Sequence, residues 1–182
     1  MCGICGEFRF DQTRPNLNLI QSMMEALERR GPDSGNVCLR APVALGHRRL
    51  AIIDLSDRAS QPMVDEVNQL VLVFNGTIYN YRALRLELEA KGYKFSSDGD
   101  SETILKAYAE WGHDCVKHLN GMFAFAIWDI SKQQLYIARD RIGIKPLYYS
   151  LDSKRIVFAS NTQALLRAPG IDVSINKKAL HH

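Results

Sequence analysis

The stretch "MFAFAIW", Met122–Trp128, is the longest strongly apolar run in this chain. A helix that crosses a bilayer needs about 20 such residues, so the run is far too short to span one. It suits a buried strand. Other strand patterns stand on both sides of a helical middle, at "GICGEFRF", "GNVCLR", "VALGHRRLAII" and "LVLVFNG" before it, and "QLYIARD", "PLYYS" and "RIVFAS" after. Strands, then helices, then strands suggest two sheets sharing a helical cover. Pattern alone gives an α+β or layered α/β domain.

Three stretches carry the period of a helix. In "NLNLIQSMMEALERRG", Ile20, Met23, Met24 and Leu27 recur at i, i+3, i+4 and i+7, and Gly31 with Pro32 stops the pattern. Further on, Tyr81, Leu84 and Leu88 share a face, and Gly92 is a natural stop. In the next helix Ser101 is the expected cap, Glu102 lies in the first turn, and Ile104, Leu105, Tyr108 and Trp111 form the stripe. A short helix is expected at 162–167. The chain is polar and turn-rich from Asp54 to Glu66, and a tight turn at Ala41–Pro42 joins two strands.

The 182 residues fit one domain with a sizeable core. The formal net charge of +3 is too mild to argue for nucleic acid, and the basic stretch "RDRIGIKP" is broken by an aspartate and apolar residues. The start lacks the basic and apolar regions of a secretory signal. With no signal, Cys2, Cys5, Cys38 and Cys115 read as free thiols in a reducing compartment, which points to the cytoplasm. The tail "INKKALHH" looks like a helix cut short, so the chain is either part of something longer or carries added histidines.

Cys2 and Cys5 match a CxxC spacing used for zinc or thiol redox chemistry. There is no second CxxC, and no histidine stands at ligand spacing. If residues 3–10 form a strand, positions 2 and 5 point to opposite faces, which disfavours a shared metal. Cys5 then reads as a small core residue. Cys2 stands apart. Removal of Met1 would expose an α-amino group of pKa about 7.7–8.0 beside the thiol, able to accept its proton. One residue would supply both nucleophile and base.

The strings "MCGICG", "RRGPDSG", "GHRRLAIIDLS", "QPM", "FNGTIYNYRALR", "GDSETIL", "GMFAFAIWD", "ARDRIGIKPLYY" and "FAS" follow one another along the chain. In this order they closely resemble the glutaminase domain of the glutamine-hydrolysing asparagine synthetase family, a class II glutamine amidotransferase. The resemblance covers Cys2 to about Leu166. It implies the N-terminal nucleophile hydrolase fold, a four-layer αββα sandwich of two antiparallel sheets, in which "GMFAFAIWD" is buried on both faces. The domain would occupy residues 2–170, and residues 171–182 would begin a linker or helix toward a synthetase domain.

The same resemblance implies the chemistry. Cys2 would attack the side-chain amide of L-glutamine, forming a thioester and releasing ammonia; water would then yield glutamate. Asn75 and Gly76 would form the oxyanion hole, Asn75 by its side-chain amide and Gly76 by its N–H, the glycine giving unobstructed backbone approach. Arg49 would hold the α-carboxylate and Asp100 the α-ammonium, with Leu50, Ile52, Ile53 and Thr77 completing the pocket. No metal or cofactor is expected in this chain. ATP and Mg²⁺ belong to a synthetase domain, fused or associated, whose Ser/Gly-rich pyrophosphate loop does not occur here. The resemblance admits a homodimer and implies neither a membrane nor a nucleic-acid partner. "RGPD" reads as a structural turn, and "ARDRIGIKPLYY" as a strand-to-loop crossing with ion pairs near the nucleophile.

The chain departs from the family pattern at Thr77, where glutamate is usual, and at Asn161 and Gln163, where an acid and a lysine are usual. These changes leave the acceptor open between aspartate and another carboxylate, such as that of a peptide. Two readings from other classes stand beside the glutaminase: a thiol redox or zinc-binding module, and a silent domain that only binds glutamine.

Overall fold

The computed structural model describes residues 1–174. Strand β1 (Gly3–Arg9) leads into helix α1 (Leu17–Glu25), then β2 (Ser34–Arg40) and β3 (Val43–Arg49). Strands β4 (Met63–Asp65) and β5 (Leu70–Ile78) precede helices α2 (Tyr81–Ala90), α3 (Asp100–Trp111) and α4 (Cys115–His118). Strands β6 (Gly121–Asp129), β7 (Gln134–Arg139), β8 (Tyr148–Leu151) and β9 (Arg155–Ala159) follow, and α5 (Thr162–Leu165) closes the described elements.

One sheet has the order β2-β3-β1-β9-β8 and the other β4-β5-β6-β7. Every pairing is antiparallel. Three apolar clusters separate four layers. Ile20, Met23 and Leu27 of the α1 region pack with Ala164 of α5 on the outer face of the first sheet, against Cys5 and Ala159. Ile4, Leu45 and Phe158 of that sheet meet Val71, Val73 and Trp128 of the second. Leu72, Phe74 and Phe125 face Leu84, Leu88, Ile104 and Tyr108 of α2 and α3. The molecule is thus the expected α+β sandwich, and β6, covered by a layer on each side, explains the unbroken apolar run.

Side-chain alternation sorts the residues between these layers. Along β1, Ile4 points to the facing sheet and Cys5 to α1. Along β5, Val71 and Val73 face the first sheet while Leu72 and Phe74 face the helices. The same parity carries Cys2 and Asn75 toward the space between the sheets, at one end of the sandwich.

The structure differs from the sequence reading in several places. The regular part of α1 stops at Glu25, and its last turns tighten into i→i+3 bonds, with Arg30 N–H donating to Leu27 O at 2.9 Å. Strand β3 ends at Arg49 and does not continue through "LAII". Its partner β2 starts at Ser34, opposite Arg49, so no strand among the described residues lies beside residues 50–53. The Ala51 N–H is instead taken by the Asp33 carboxylate at 2.8 Å. Helix α3 begins one residue before Ser101, at Asp100, with Gly99 as a cap that makes no side-chain bond. Its buried residues run from Asp100 to Tyr108 on all sides, wider than the expected stripe. The short β4 lies hidden in the polar stretch because three residues are too few to show a period. Gly92 does end α2, with φ of +98°. Residues Ile171–Ser174 form no helix or strand. The rest of the expected linker or helix, 175–182, lies outside the described residues.

Candidate active site

At the end of the sandwich where Cys2 and Asn75 face inward, a cavity of about 250 Å³ opens between the sheets, large enough for a free amino acid. All nine residues expected from the sequence line it: Cys2, Arg49, Leu50, Ile52, Ile53, Asn75, Gly76, Thr77 and Asp100. They come from the residue before β1, from β3, the loop after β3, β5 and the start of α3.

Cys2 sits just before β1, and its thiol is fixed by the turn at Leu50. The Leu50 N–H donates to Sγ at 3.4 Å and Sγ donates to the Leu50 carbonyl at 3.5 Å. The Cys2 carbonyl accepts from Arg30 Nε at 3.1 Å. Met1 lines the same cavity, and its sulfur lies 3.5 Å from Lys145 Nζ. Cys5, by contrast, is wholly buried on the α1 side, where burial pushes its thiol up to about 12. Because the two cysteines face opposite sides of β1, they do not form a ligand pair or a redox couple.

Asn75 belongs to the centre of β5 and is 1% exposed. Its Nδ2 is buried and has no hydrogen-bond partner among the described residues. An unpaired donor of this kind costs about 1–3 kcal/mol, and a ligand oxygen would remove that cost. Gly76 follows it. A Cβ there would stand 2.3 Å from Met122 O and 2.8 Å from Phe123 Cα. The glycine is therefore required by the close approach of β6, rather than by unobstructed access for a ligand.

Arg49 and Asp100 are both nearly buried. Arg49 Nη2 donates to the carbonyls of Asp54 and Ser56, the latter at 3.1 Å, which folds the loop after β3 over the cavity. Asp100 Oδ2 accepts from the Ile78 N–H at 2.9 Å. Burial pushes the Asp100 carboxyl above its ordinary value, against the lowering effect of backbone N–H groups from Ile78, Asp100 and Ser101. A cationic ligand group beside it would reverse that shift. In the loop, Ile52 exposes most of its side chain, and the backbone of Leu50 meets the Cys2 thiol.

Four residues of the site were not assigned from sequence: Arg30, His47, Gln61 and Lys145. Arg30 binds the Cys2 backbone. Gln61 and His47 bind the backbone of Phe74. Lys145 is nearly buried beside Met1. Each occurs in a string that carried the family resemblance, yet side-chain-to-backbone bonds across the fold leave no periodic signal. Two of the four charges of "ARDRIGIKPLYY", Arg139 and Asp140, also act on backbone, where ion pairs were expected. Asp140 accepts from the N–H groups of Phe123, Ile144 and Lys145, and Arg139 donates to the carbonyls of Gly143 and Lys145.

A family profile described as "Glutamine amidotransferase domain" matches residues 1–182. Asparagine synthetase [glutamine-hydrolyzing] 3 of Bacillus subtilis (strain 168) is 39% identical over 99% of this chain and 30% of its own length. Asparagine synthetase [glutamine-hydrolyzing] 1 of the same organism is 43% identical over 99% of this chain and 29% of its own. The chain thus spans about three-tenths of the length of these relatives. Among solved structures, the glutamine phosphoribosylpyrophosphate amidotransferase of B. subtilis superposes with a TM-score of 0.74 at 22% identity, covering 90% of this chain and 42% of that one. That likeness supports the N-terminal nucleophile hydrolase fold. With the profile matched from end to end and relatives near 40% identity, the chain belongs to the glutamine amidotransferase domain family.

Proposed function

We propose that this domain, once freed of Met1, hydrolyses L-glutamine to glutamate and ammonia with Cys2 as nucleophile. The observation that carries the reading is the unpaired, buried Asn75 Nδ2 in the cavity that also holds the Cys2 thiol, Arg49 and Asp100. The Cys2 α-amine accepts the thiol proton, and Sγ attacks the side-chain amide carbon of glutamine. Asn75 Nδ2 and the Gly76 N–H take the negative oxygen of the tetrahedral intermediate. The carbon–nitrogen bond breaks, the amine returns its proton to the nitrogen, and ammonia leaves a γ-glutamyl thioester. Water, deprotonated by the same amine, attacks the thioester; the carbon–sulfur bond breaks, the ammonium returns its proton to Sγ, and glutamate departs. Arg49 binds the α-carboxylate and Asp100 the α-ammonium, with backbone groups of Leu50, Ile52, Ile53 and Thr77 between them.

The relatives' names point to the use of that ammonia. We infer an asparagine synthetase-type amidation of a carboxylate in the remaining seven-tenths or so of such a protein, where ATP and Mg²⁺ would act. The acceptor is aspartate or another carboxylate, since Thr77, Asn161 and Gln163 depart from the family pattern. The decisive test is a glutamine hydrolysis assay on three proteins: Met1-free, Met1-retaining and Cys2→Ala. Turnover is expected only in the first, with a thioester adduct on its N-terminal peptide. Equal turnover with Met1 retained would overturn the N-terminal mechanism, and turnover in Cys2→Ala would overturn the nucleophile.

A further inference from the structure

Strand β5 pairs with β6 along its full length, but β4 covers its other edge only from Leu70 to Leu72. Beyond Leu72 no strand among the described residues lies beside that edge. In an antiparallel strand, alternate residues send their backbone N–H and C=O to the same edge. Phe74, Gly76 and Ile78 therefore share the uncovered edge. Side chains take the place of the strand on either side of Gly76. The Phe74 N–H donates to Gln61 Oε1 at 2.6 Å, and the Phe74 carbonyl accepts from His47 Nε2 at 3.2 Å. The Ile78 N–H donates to Asp100 at 2.9 Å. Gly76, between them, presents its N–H on the same edge at the cavity.

We propose that His47 and Gln61 are positioning residues of the oxyanion hole, gripping both backbone groups of Phe74 so that Asn75 Nδ2 and the Gly76 N–H are held at the substrate oxygen. This inference rests on the glutaminase reading above.

Two features argue against a purely packing role. His47 lies on the inward face of β3 in line with Val43 and Leu45, where an aliphatic residue would fill the core without penalty. Its Nδ1 is buried and unpaired among the described residues, a cost incurred for the one bond made by Nε2. The Phe74 carbonyl can only accept, so Nε2 carries a proton; a second proton on the buried, unpartnered Nδ1 would leave an uncompensated charge, so the ring is neutral. Burial agrees, pushing the imidazole down to about 4. Gln61 is also spent on both ends. While Oε1 holds Phe74, its Nε2 donates to Ser101 Oγ at 3.1 Å, next to Asp100 at the start of α3. One amide thus ties the oxyanion end of the cavity to the end that would take the ammonium.

The test is steady-state glutamine hydrolysis by the Met1-free chain with His47→Leu and Gln61→Leu, alone and combined with Asn75→Ala. Each leucine variant is expected to lower kcat roughly 10-fold with KM within about 2-fold of the parent, the scale of a slightly misplaced catalytic group. In the Asn75→Ala background the same changes should cost less, about 3-fold, because only the Gly76 N–H is then left to position. His47→Gln, whose amide can still donate to Phe74, should recover most of the rate. Fully additive losses, or a KM rise at unchanged kcat, would overturn the proposal. Should His47→Leu fail to fold, the Gln61→Leu cycle decides by the same criteria. An inactive Met1-free parent would overturn the glutaminase reading and this proposal with it, whereas an active parent with additive variants overturns this proposal alone.

Discussion

Arg30 and Cys2, 28 residues apart, are joined by a bond from the guanidinium Nε to the Cys2 carbonyl at 3.1 Å. The bond fixes the backbone of the candidate nucleophile from outside its own strand. Burial lowers the Arg30 pKa, and its Nη2 is buried with no partner among the described residues. The guanidinium is therefore kept in a poorly solvated place beside Cys2. Arg30→Leu should release the Cys2 carbonyl and reduce kcat by up to about 100-fold, as expected when a reacting group moves by an ångström. Glutamine KM, which the proposed mechanism assigns to Arg49 and Asp100, should change little. A parent-like kcat in the folded variant would show that Leu50 alone is enough to hold the thiol.

Asn75→Ala should lower kcat by roughly 100- to 1,000-fold, the range for one lost oxyanion donor. Because Nδ2 is buried with no partner among the described residues, the substitution also removes a buried orphan. The folded protein should consequently lose little stability. Kinetics and thermal melts on one preparation separate the two effects, and a large KM rise at constant kcat would mean that Asn75 binds ground-state glutamine instead.

Asp100 links function to stability through its charge. Its folded pKa is raised by burial, so its contribution to stability is fully present below the unfolded value and is lost as pH rises through the folded value. Burial thus makes the charged form of this carboxyl costly in the folded domain. Asp100→Asn keeps an acceptor for the Ile78 N–H and should raise the melting temperature of the unliganded protein at pH 7. The same variant should lose glutamine affinity, and lose less for an analogue without the α-amine. A lower melting temperature and unchanged discrimination would refute both halves.

His47 has the opposite sign. Its folded pKa is depressed from 6.5 to about 4, mainly by burial. Its stabilisation is present above about pH 6.5 and is lost as pH falls toward about 4. Chemical denaturation from pH 7 to 4 should show a steeper loss of stability in the parent than in His47→Gln, which carries no titrating ring. Parallel slopes would mean that His47 is not buried neutral in solution.

Much of this architecture was legible in the residues. The apolar run Met122–Trp128 read as a buried strand, the family resemblance implied cover on both faces, and β6 has it. The odd spacing of Cys2 and Cys5 across a strand sent them to opposite layers because side chains alternate. The ordered strings of the family resemblance brought nine residues to one cavity. These features were readable because they depend on local period or on residue identity in a known order.

What only the tertiary structure decided are bonds between side chains and distant backbone. Asp33 taking the Ala51 N–H and Arg49 holding two loop carbonyls end β3 early, although "LAII" is as apolar and β-branched as the strand before it. Gln61, in a stretch that reads only as polar and turn-rich, closes the edge of β5 next to the candidate oxyanion hole. Gly76 is a glycine because β6 passes 2.3 Å from where its Cβ would be. None of these has a local signature, because a backbone N–H or carbonyl is the same at every residue. Which one is left for a side chain to satisfy depends on where the neighbouring strand ends.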